Sequence, residues 1–296
     1  MNERGKSSFY CWWRNVFCYF FRKRYTIFVR EKDTVGKYFF TGIILFFSIG
    51  MGSLFLSGCV TTEYDVATHR KDIFIYSTEK EIILGENLAR HINKQVKLYN
   101  DPSSRKRINQ IGEKIAEVCD RKELNYYFYI INKDEKNAFS LPGGYVYIYK
   151  GLWDILDSDD ELAFVLAHEI GHIVARHHIK KLQAALGYNF LMLATTQVDT
   201  SPRFLEGLSF ALRQIMSAYS REDEFLADEL ATKYIKLAGF EEKAGIKVLN
   251  KLYSLQKKEP LKPFSYFKTH PFTAQRIRHI KEVLKITLDI SDYINF

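Results

Sequence analysis

Two histidines four residues apart with a glutamate beside the first, His168-Glu169-Ile170-Gly171-His172, suit one kind of chemistry. On a helix of about 3.6 residues per turn, positions i and i+4 fall about 40° apart, so His168 and His172 offer two imidazole nitrogens to one metal ion. Glu169 lies about 100° round from His168 and about 60° from His172, at the edge of that face. A carboxylate there can reach a water beside the metal and take its proton without itself becoming a ligand.

A catalytic zinc takes three protein ligands and keeps one position for water, so two histidines demand a third donor. The run SREDEFLAD, residues 220–228, places Glu224 and Asp228 one turn apart on a predicted helix. One of the two can bind the metal while the other accepts a hydrogen bond from a ligand histidine and fixes its tautomer.

These residues need helices to hold them. Ser158-Asp159-Asp160-Glu161 reads as a capping box ahead of Leu162, Phe164, Val165 and Leu166, which predicts a helix over about 159–180. Continued on that helix, His177 and His178 fall roughly 180° and 280° round from His168, so both are expected to be non-ligands facing solvent. Upstream, Thr78-x-x-Glu81 predicts a helix running through Val96, and a second helix is predicted over 104–119 with Ile108, Ile111, Ile115 and Val118 on one stripe. Residues 126–131 and 145–149 read as strands of a small sheet, with 137–144 a turn region between them. Downstream, helices are predicted over 182–197, 205–238 and 242–256. The fold class is therefore α+β, mainly helical, with a small sheet and an active-site helix.

Composition sets the outer limits. With 47% hydrophobic and 26% charged residues over 296 positions, the chain can build a substantial core. Residues 1–59 hold nine of the 43 Lys/Arg and three of the 35 Asp/Glu, so most of the net charge of +8 belongs to the N-terminus. The remainder is nearly balanced, which excludes the clustered basic face of a nucleic-acid-binding domain.

Residues 38–62 carry no charge, and the apolar run 39–56 is long enough to cross a bilayer. It ends in Leu56-Ser57-Gly58-Cys59, which resembles a bacterial lipobox with Cys59 as the lipidated residue; a retained transmembrane anchor is the alternative. Val60 in place of aspartate after that cysteine favours the periplasmic side of the outer membrane, with inner-membrane anchoring of a periplasmic domain as the alternative. Residues 1–37 form an atypical basic extension, expected to lie upstream of a later start that Val35 would supply if its codon is GTG. If translated, they are a cytoplasmic segment obeying the positive-inside rule. The organisation expected is an extension over 1–37, a signal or lipobox segment over 38–59, a tether over 60–76 and, over 77–296, the domain that carries the metal-binding pattern. Cys11 and Cys18 precede the cleavage point and Cys119 has no partner in the mature chain, so Cys119 is read as a small core residue on a helix.

Four separated segments, NAFSLPGGYVYIYKGL (137–152), HEIGH (168–172), SREDEFLAD (220–228) and THPFTAQRI (269–277), together resemble the gluzincin zinc metallopeptidase family of the CAAX prenyl endopeptidase, HtpX, Oma and BepA–LoiP type. The resemblance covers roughly residues 77–280 and implies a zincin-like fold holding one Zn2+ per chain. It implies ligands His168, His172 and Glu224, a base at Glu169, and Asp228 supporting a ligand histidine. It also implies that the strand 145–149 borders the cleft, with substrate adding to its edge, and it brings Asn137, Tyr145 and Arg276 forward as cleft candidates. Of these, Arg276 suits a structural ion pair better than a substrate contact. His270, ahead of Pro271, is the candidate for either an oxyanion donor or a reversible fourth ligand that gates activity. The chain lacks the several transmembrane helices of HtpX and the prenyl endopeptidases and has no room for a tetratricopeptide array, so a compact lipoprotein member is expected. The function expected is a membrane-tethered zinc endopeptidase of the bacterial envelope acting on misfolded or unassembled proteins. The alternative is a chaperone-like factor for outer-membrane assembly on the same fold.

Overall fold

The computed structural model describes residues 61–65, 67, 70–74, 77–194, 201–258 and 265–294, with side chains left aside at a few of these, among them 186–194. The apolar run 39–56, Cys59 and the basic extension lie outside the described residues. No helix among the described residues is long and apolar enough to cross a membrane.

The stretch expected as a tether contains an antiparallel hairpin, β1 (Thr61–Asp65) and β2 (Arg70–Phe74). Helix α1 (Thr78–Gln95) starts one residue earlier than its sequence signal, because Ser77 rather than Thr78 is the cap and accepts from the Lys80 amide. Asp101 caps α2 (Pro102–Val118), with Pro102 at a first-turn position where a missing N–H costs nothing. Three strands follow: β3 (Tyr127–Ile131), β4 (Ala138–Leu141) and β5 (Tyr145–Tyr149). The region predicted as a turn over 137–144 is thus half strand; its four β4 residues are buried and lack the polar alternation that marks a half-exposed strand.

In the sheet the order is β3-β5-β4, with β5 parallel to β3 and antiparallel to β4. Gly143 (φ 75°) and Gly144 (φ 100°) make the tight turn from β4 into β5, a conformation that side chains disfavour. Alternating residues separate two cores. Phe128, Ile130, Val146 and Ile148 face α2 and α4 (Asp159–Val174), while Ile131, Phe139, Leu141, Tyr147 and Tyr149 face α1 and α6 (Pro202–Ile215). The short α3 (Lys150–Trp153) links β5 to α4.

α4 is the central helix, buried on every side from Glu161 to Val174, as expected for a helix apolar all round. Ser158 caps it by accepting from the Glu161 amide, but Glu161 turns away to accept from the Asp157 amide and to pair with Lys251 at 2.7 Å, so the capping box is only half formed. The helix ends sooner than predicted. Arg176 adopts a left-handed backbone (φ 53°), and a new helix, α5 (His177–Ala194), starts after it. The predicted helix over 205–238 is likewise two: α6 stops at Ile215 and α7 (Arg221–Leu237) restarts with a reciprocal capping box between Ser220 and Asp223. Helices α8 (Ala244–Lys258), α9 (Ser265–Thr269), α10 (Thr273–Val283) and α11 (Ser291–Ile294) complete the described chain.

The α4–α7 crossing positions the chemistry. At Gly171 an added Cβ would meet the Ala227 backbone, with the Cα at 3.2 Å and the carbonyl oxygen at 3.0 Å. The glycine between the two histidines lets α7 approach closely enough for Glu224 and Asp228 to reach them. A latch holds the far end of α4: Glu81 of α1 takes Arg121 at 2.8 Å through one oxygen and Arg176 at 2.9 Å through the other, and all three side chains are buried.

Candidate metal centre

His168, His172, Glu224 and His270 converge in the interior, all at most 1% exposed, with one potential ligand atom from each within 4.8 Å of the others. The separations carry the information. His168 Nε2 is 3.2 Å from His172 Nε2 and 3.3 Å from His270 Nδ1. The Glu224 oxygens lie 3.4 Å from His172 Nε2, 3.6 Å from His168 Nε2 and 3.1 Å from His270 Nδ1. A tetrahedron with metal–ligand bonds of about 2.0–2.2 Å has edges of about 3.3–3.6 Å, so this donor set has the size of a four-coordinate metal site. Beside this set, Glu169 Oε1 and His270 Nε2 lie 3.4 Å apart, both buried with no hydrogen-bond partner among the described residues.

The outer contacts bear on which nitrogens carry protons. His168 Nδ1 is 2.9 Å from Asp228 Oδ1 and 3.3 Å from Arg276 Nη2; with its proton on Nδ1, turned to the carboxylate, the Nε2 lone pair is left for a metal. His172 Nδ1 is 2.8 Å from His177 Nδ1, and His177 Nε2 is 3.3 Å from Asp223 Oδ1. With protons on His172 Nδ1 and His177 Nε2, both contacts become hydrogen bonds and His172 Nε2 also stays bare. Burial holds His172 well below the usual imidazole range and therefore neutral, against the opposing pull of Glu224.

Arg276 balances the carboxylates. It is fully buried on α10, with Nε and Nη2 each 2.8 Å from one Asp228 oxygen. Its Nη1 donates to the Tyr266 hydroxyl at 3.1 Å and makes an ion-pair contact of 2.7 Å with Glu224 Oε2 that lacks hydrogen-bond direction. Burial is the largest single influence and opposes the charge on Glu224 and Asp228, but Arg276 and the imidazole contacts together outweigh it and hold both carboxyls below their ordinary values. The arginine thus faces the Glu224 and Asp228 carboxylates, not an open cleft.

Two further expectations change. His177 and His178 are 2% and 1% exposed, not solvent-facing, because the left-handed turn at Arg176 resets the helical phase on which that expectation rested. Strand β5 has no free edge for substrate, since β3 and β4 flank it; the sheet edge nearest Glu169 is β4, whose Ser140 hydroxyl donates to Glu169 Oε2 at 2.8 Å. Asn137 is buried and its side-chain oxygen accepts from Thr269 at 3.5 Å, next to His270. Tyr145 is half-buried and stacks on Tyr127 at 4.8 Å. Neither lies among the donors. Cys119, buried and free, is the cap residue of α2.

Tyr219 is a site residue without a sequence signal. Its ring stacks on His172 at 3.8 Å, and Lys181 Nζ lies 3.3 Å from the ring centroid. Burial lowers the Lys181 ammonium to about 8 despite the nearby Asp223, Glu224 and Glu169 carboxylates.

Comparison with known proteins agrees with this geometry. Residues 102–284 match the model of "Peptidase family M48". The chain is 28% identical over 212 residues to the beta-barrel assembly-enhancing protease of Escherichia coli (strain K12), covering 68% of this chain and 43% of that protein. It is 30% identical over 179 residues to the mitochondrial metalloendopeptidase OMA1 of Schizosaccharomyces pombe, covering 60% and 52%. It is 29% identical over 182 residues to the metalloprotease LoiP of Escherichia coli (strain K12), covering 60% and 69%. The chain thus spans less than half the length of the first of these. A family match over more than half of its residues, including every donor of the buried cluster, means that the chain belongs to peptidase family M48.

Proposed function

We propose that this chain is a zinc-dependent endopeptidase, with His168, His172 and Glu224 as ligands and Glu169 as base. The observation that carries the reading is the convergence of four buried donors, within 4.8 Å of one another, beside a buried carboxylate that is not one of them. Zinc, when bound, supplies a Lewis acid for the scissile carbonyl and makes water acidic enough to lose a proton near neutral pH. The chain supplies the rest. Glu169 Oε1, 3.4 Å from His270 Nε2 and free of hydrogen bonds, is the oxygen that accepts the proton of the attacking water and passes it to the leaving amine. The bidentate Asp228–Arg276 pair holds His168 and Glu224 in place.

His270 acts as a gate in this reading. Its Nδ1 sits at donor distance from His168 and Glu224, so the imidazole closes the fourth position, and catalysis requires its withdrawal. The ring lies in the short segment between α9 and α10, followed by Pro271 and by Phe272 in a strained left-handed conformation (φ 65°), and relief of that strain would favour a second position of the segment.

The place of action is the bacterial cell envelope, with the domain tethered on the periplasmic side through Cys59 or a retained anchor, and the substrates are misfolded or unassembled envelope proteins. Support comes from the lipobox-like sequence and from likeness to a protein named for enhancing β-barrel assembly. The buried Glu169 beside the donors favours proteolysis over a purely chaperone-like role, for which that base has no use. Digestion of casein by the purified protein tests the activity. Cleavage should stop with a chelator, return with zinc, and be absent in Glu169→Gln although that variant retains metal; a fully active Glu169→Gln protein overturns the assignment.

A further inference from the structure

We propose that Ser140 and His178 form a hydroxyl–imidazole couple that fixes one oxygen of Glu169 and leaves the other for proton transfer, making both of them positioning residues for the base. The inference rests on the reading of Glu169 as base given above.

Ser140 Oγ is 2.8 Å from Glu169 Oε2 and 3.2 Å from His178 Nε2, and all three side chains are 1% exposed. A serine hydroxyl has one proton to give. If it goes to Glu169, the second contact must be accepted, so His178 carries its proton on Nε2 and leaves Nδ1 bare. His178 Nδ1 is indeed buried without a hydrogen-bond partner among the described residues. In the other tautomer, Nε2 would claim the serine proton and Glu169 Oε2 would lose its donor. The imidazole thus decides which way the hydroxyl points.

The two carboxylate oxygens are then unequal. Oε2 is held by a strand residue fixed in the ladder opposite Val146, while Oε1 has no hydrogen-bond partner and faces His270 Nε2 at 3.4 Å. Rotation of the carboxylate away from that direction would break the bond to Ser140. The turn at Arg176 makes this economical in sequence: of the two residues that follow it, His177 orients the ligand His172 and His178 orients the base.

Steady-state kinetics on the zinc-loaded full chain, with zinc content and thermal midpoint as controls, test the couple. Losing a hydrogen bond to a charged group should cost Ser140→Ala about 10- to 100-fold in kcat with KM within about twofold. His178→Gln, which keeps an N–H donor, should stay within about threefold of the wild type, whereas His178→Phe, which frees the hydroxyl to turn but leaves Glu169 as its acceptor, should fall between His178→Gln and Ser140→Ala. Because His178 acts only through the hydroxyl, adding His178→Phe to Ser140→Ala should lower kcat no further. Wild-type kcat in Ser140→Ala, a loss confined to KM, or an added loss in the double variant overturns the proposal. Independently of activity, long-range 1H–15N NMR should find the His178 proton on Nε2, and a proton on Nδ1 overturns it. If the wild type cleaves nothing, the peptidase reading fails, while the NMR result still decides whether the couple exists.

Discussion

Replacing Arg276 by Met removes the one arginine or lysine that, among the described residues, is in ion-pair contact with both Glu224 and Asp228, and leaves two buried carboxylates without it. Breaking a buried ion pair from one side costs about 3–5 kcal/mol, because the remaining charge is stranded out of water. For a domain of this size that corresponds to a drop in thermal midpoint of about 6–20 °C. The cost should depend on metal. A divalent cation among the donors supplies the positive charge that Arg276 gave Glu224, so the zinc-loaded variant should lose markedly less than the metal-free one. Urea unfolding of wild type, Arg276→Met, Asp228→Asn and the double variant, each with and without zinc, measures this. Asp228→Asn removes one stranded charge, so the double variant should be more stable than the sum of the two single losses implies. A metal-free Arg276→Met within about 1 kcal/mol of wild type, or equal losses with and without zinc, would refute the reasoning that the arginine balances this charge cluster.

Glu81→Ala leaves Arg121 and Arg176 buried without their shared carboxylate and should destabilise the fold by about 3–5 kcal/mol, read from urea midpoints, with zinc content preserved in the fraction that folds. His270→Ala removes the closing imidazole and should raise casein cleavage severalfold at unchanged zinc content; a loss of turnover would instead assign His270 to the oxyanion. The metal-free protein should weaken as pH falls below about 6.5. Burial keeps His172 and His178 neutral in the fold, so below that pH the unfolded chain binds more protons, and stability drops by up to about 1.4 kcal/mol per pH unit per histidine. A second loss should begin below about pH 4. There the unfolded carboxylates protonate while Glu224 and Asp228, held below their ordinary values, still contribute. Denaturant midpoints that stay flat from pH 7 to pH 5 would contradict the first of these.

The site was legible where its residues obey a local period. Spacing alone put His168 and His172 on one face of a helix and Glu224 and Asp228 on another, and the structure brings those faces together at Gly171. It was not legible where one backbone angle changes the phase. Nothing in Ala175-Arg176-His177 announces a left-handed arginine: asparagine or glycine usually marks such a position, and here burial of the guanidinium against Glu81 fixes it instead. That single turn converts two histidines assigned to solvent into two buried ones that contact His172 and Ser140. Ser140 and Tyr219 are invisible for a different reason. Each acts through a neighbour more than 25 residues away in sequence, and a lone serine in an apolar strand or a tyrosine before a helix cap has no periodicity to betray it. The β4 strand was missed because burial on both faces removes the alternation by which a strand is recognised. Caps were legible at two places, since Ser158 and the Ser77–Thr78 pair act on the backbone next to them, whereas Asp101 caps a helix expected to start at 104 and Ser220 fell inside a helix expected to be continuous.

Diffraction from crystals grown with stoichiometric zinc, recorded on either side of the zinc absorption edge, tests the metal centre most directly. A single anomalous peak is expected, at about 2.0–2.2 Å from His168 Nε2, His172 Nε2 and a Glu224 oxygen, with Glu169 outside bonding distance. A peak elsewhere on the chain, or folded protein that takes up no zinc at this cluster, would contradict it.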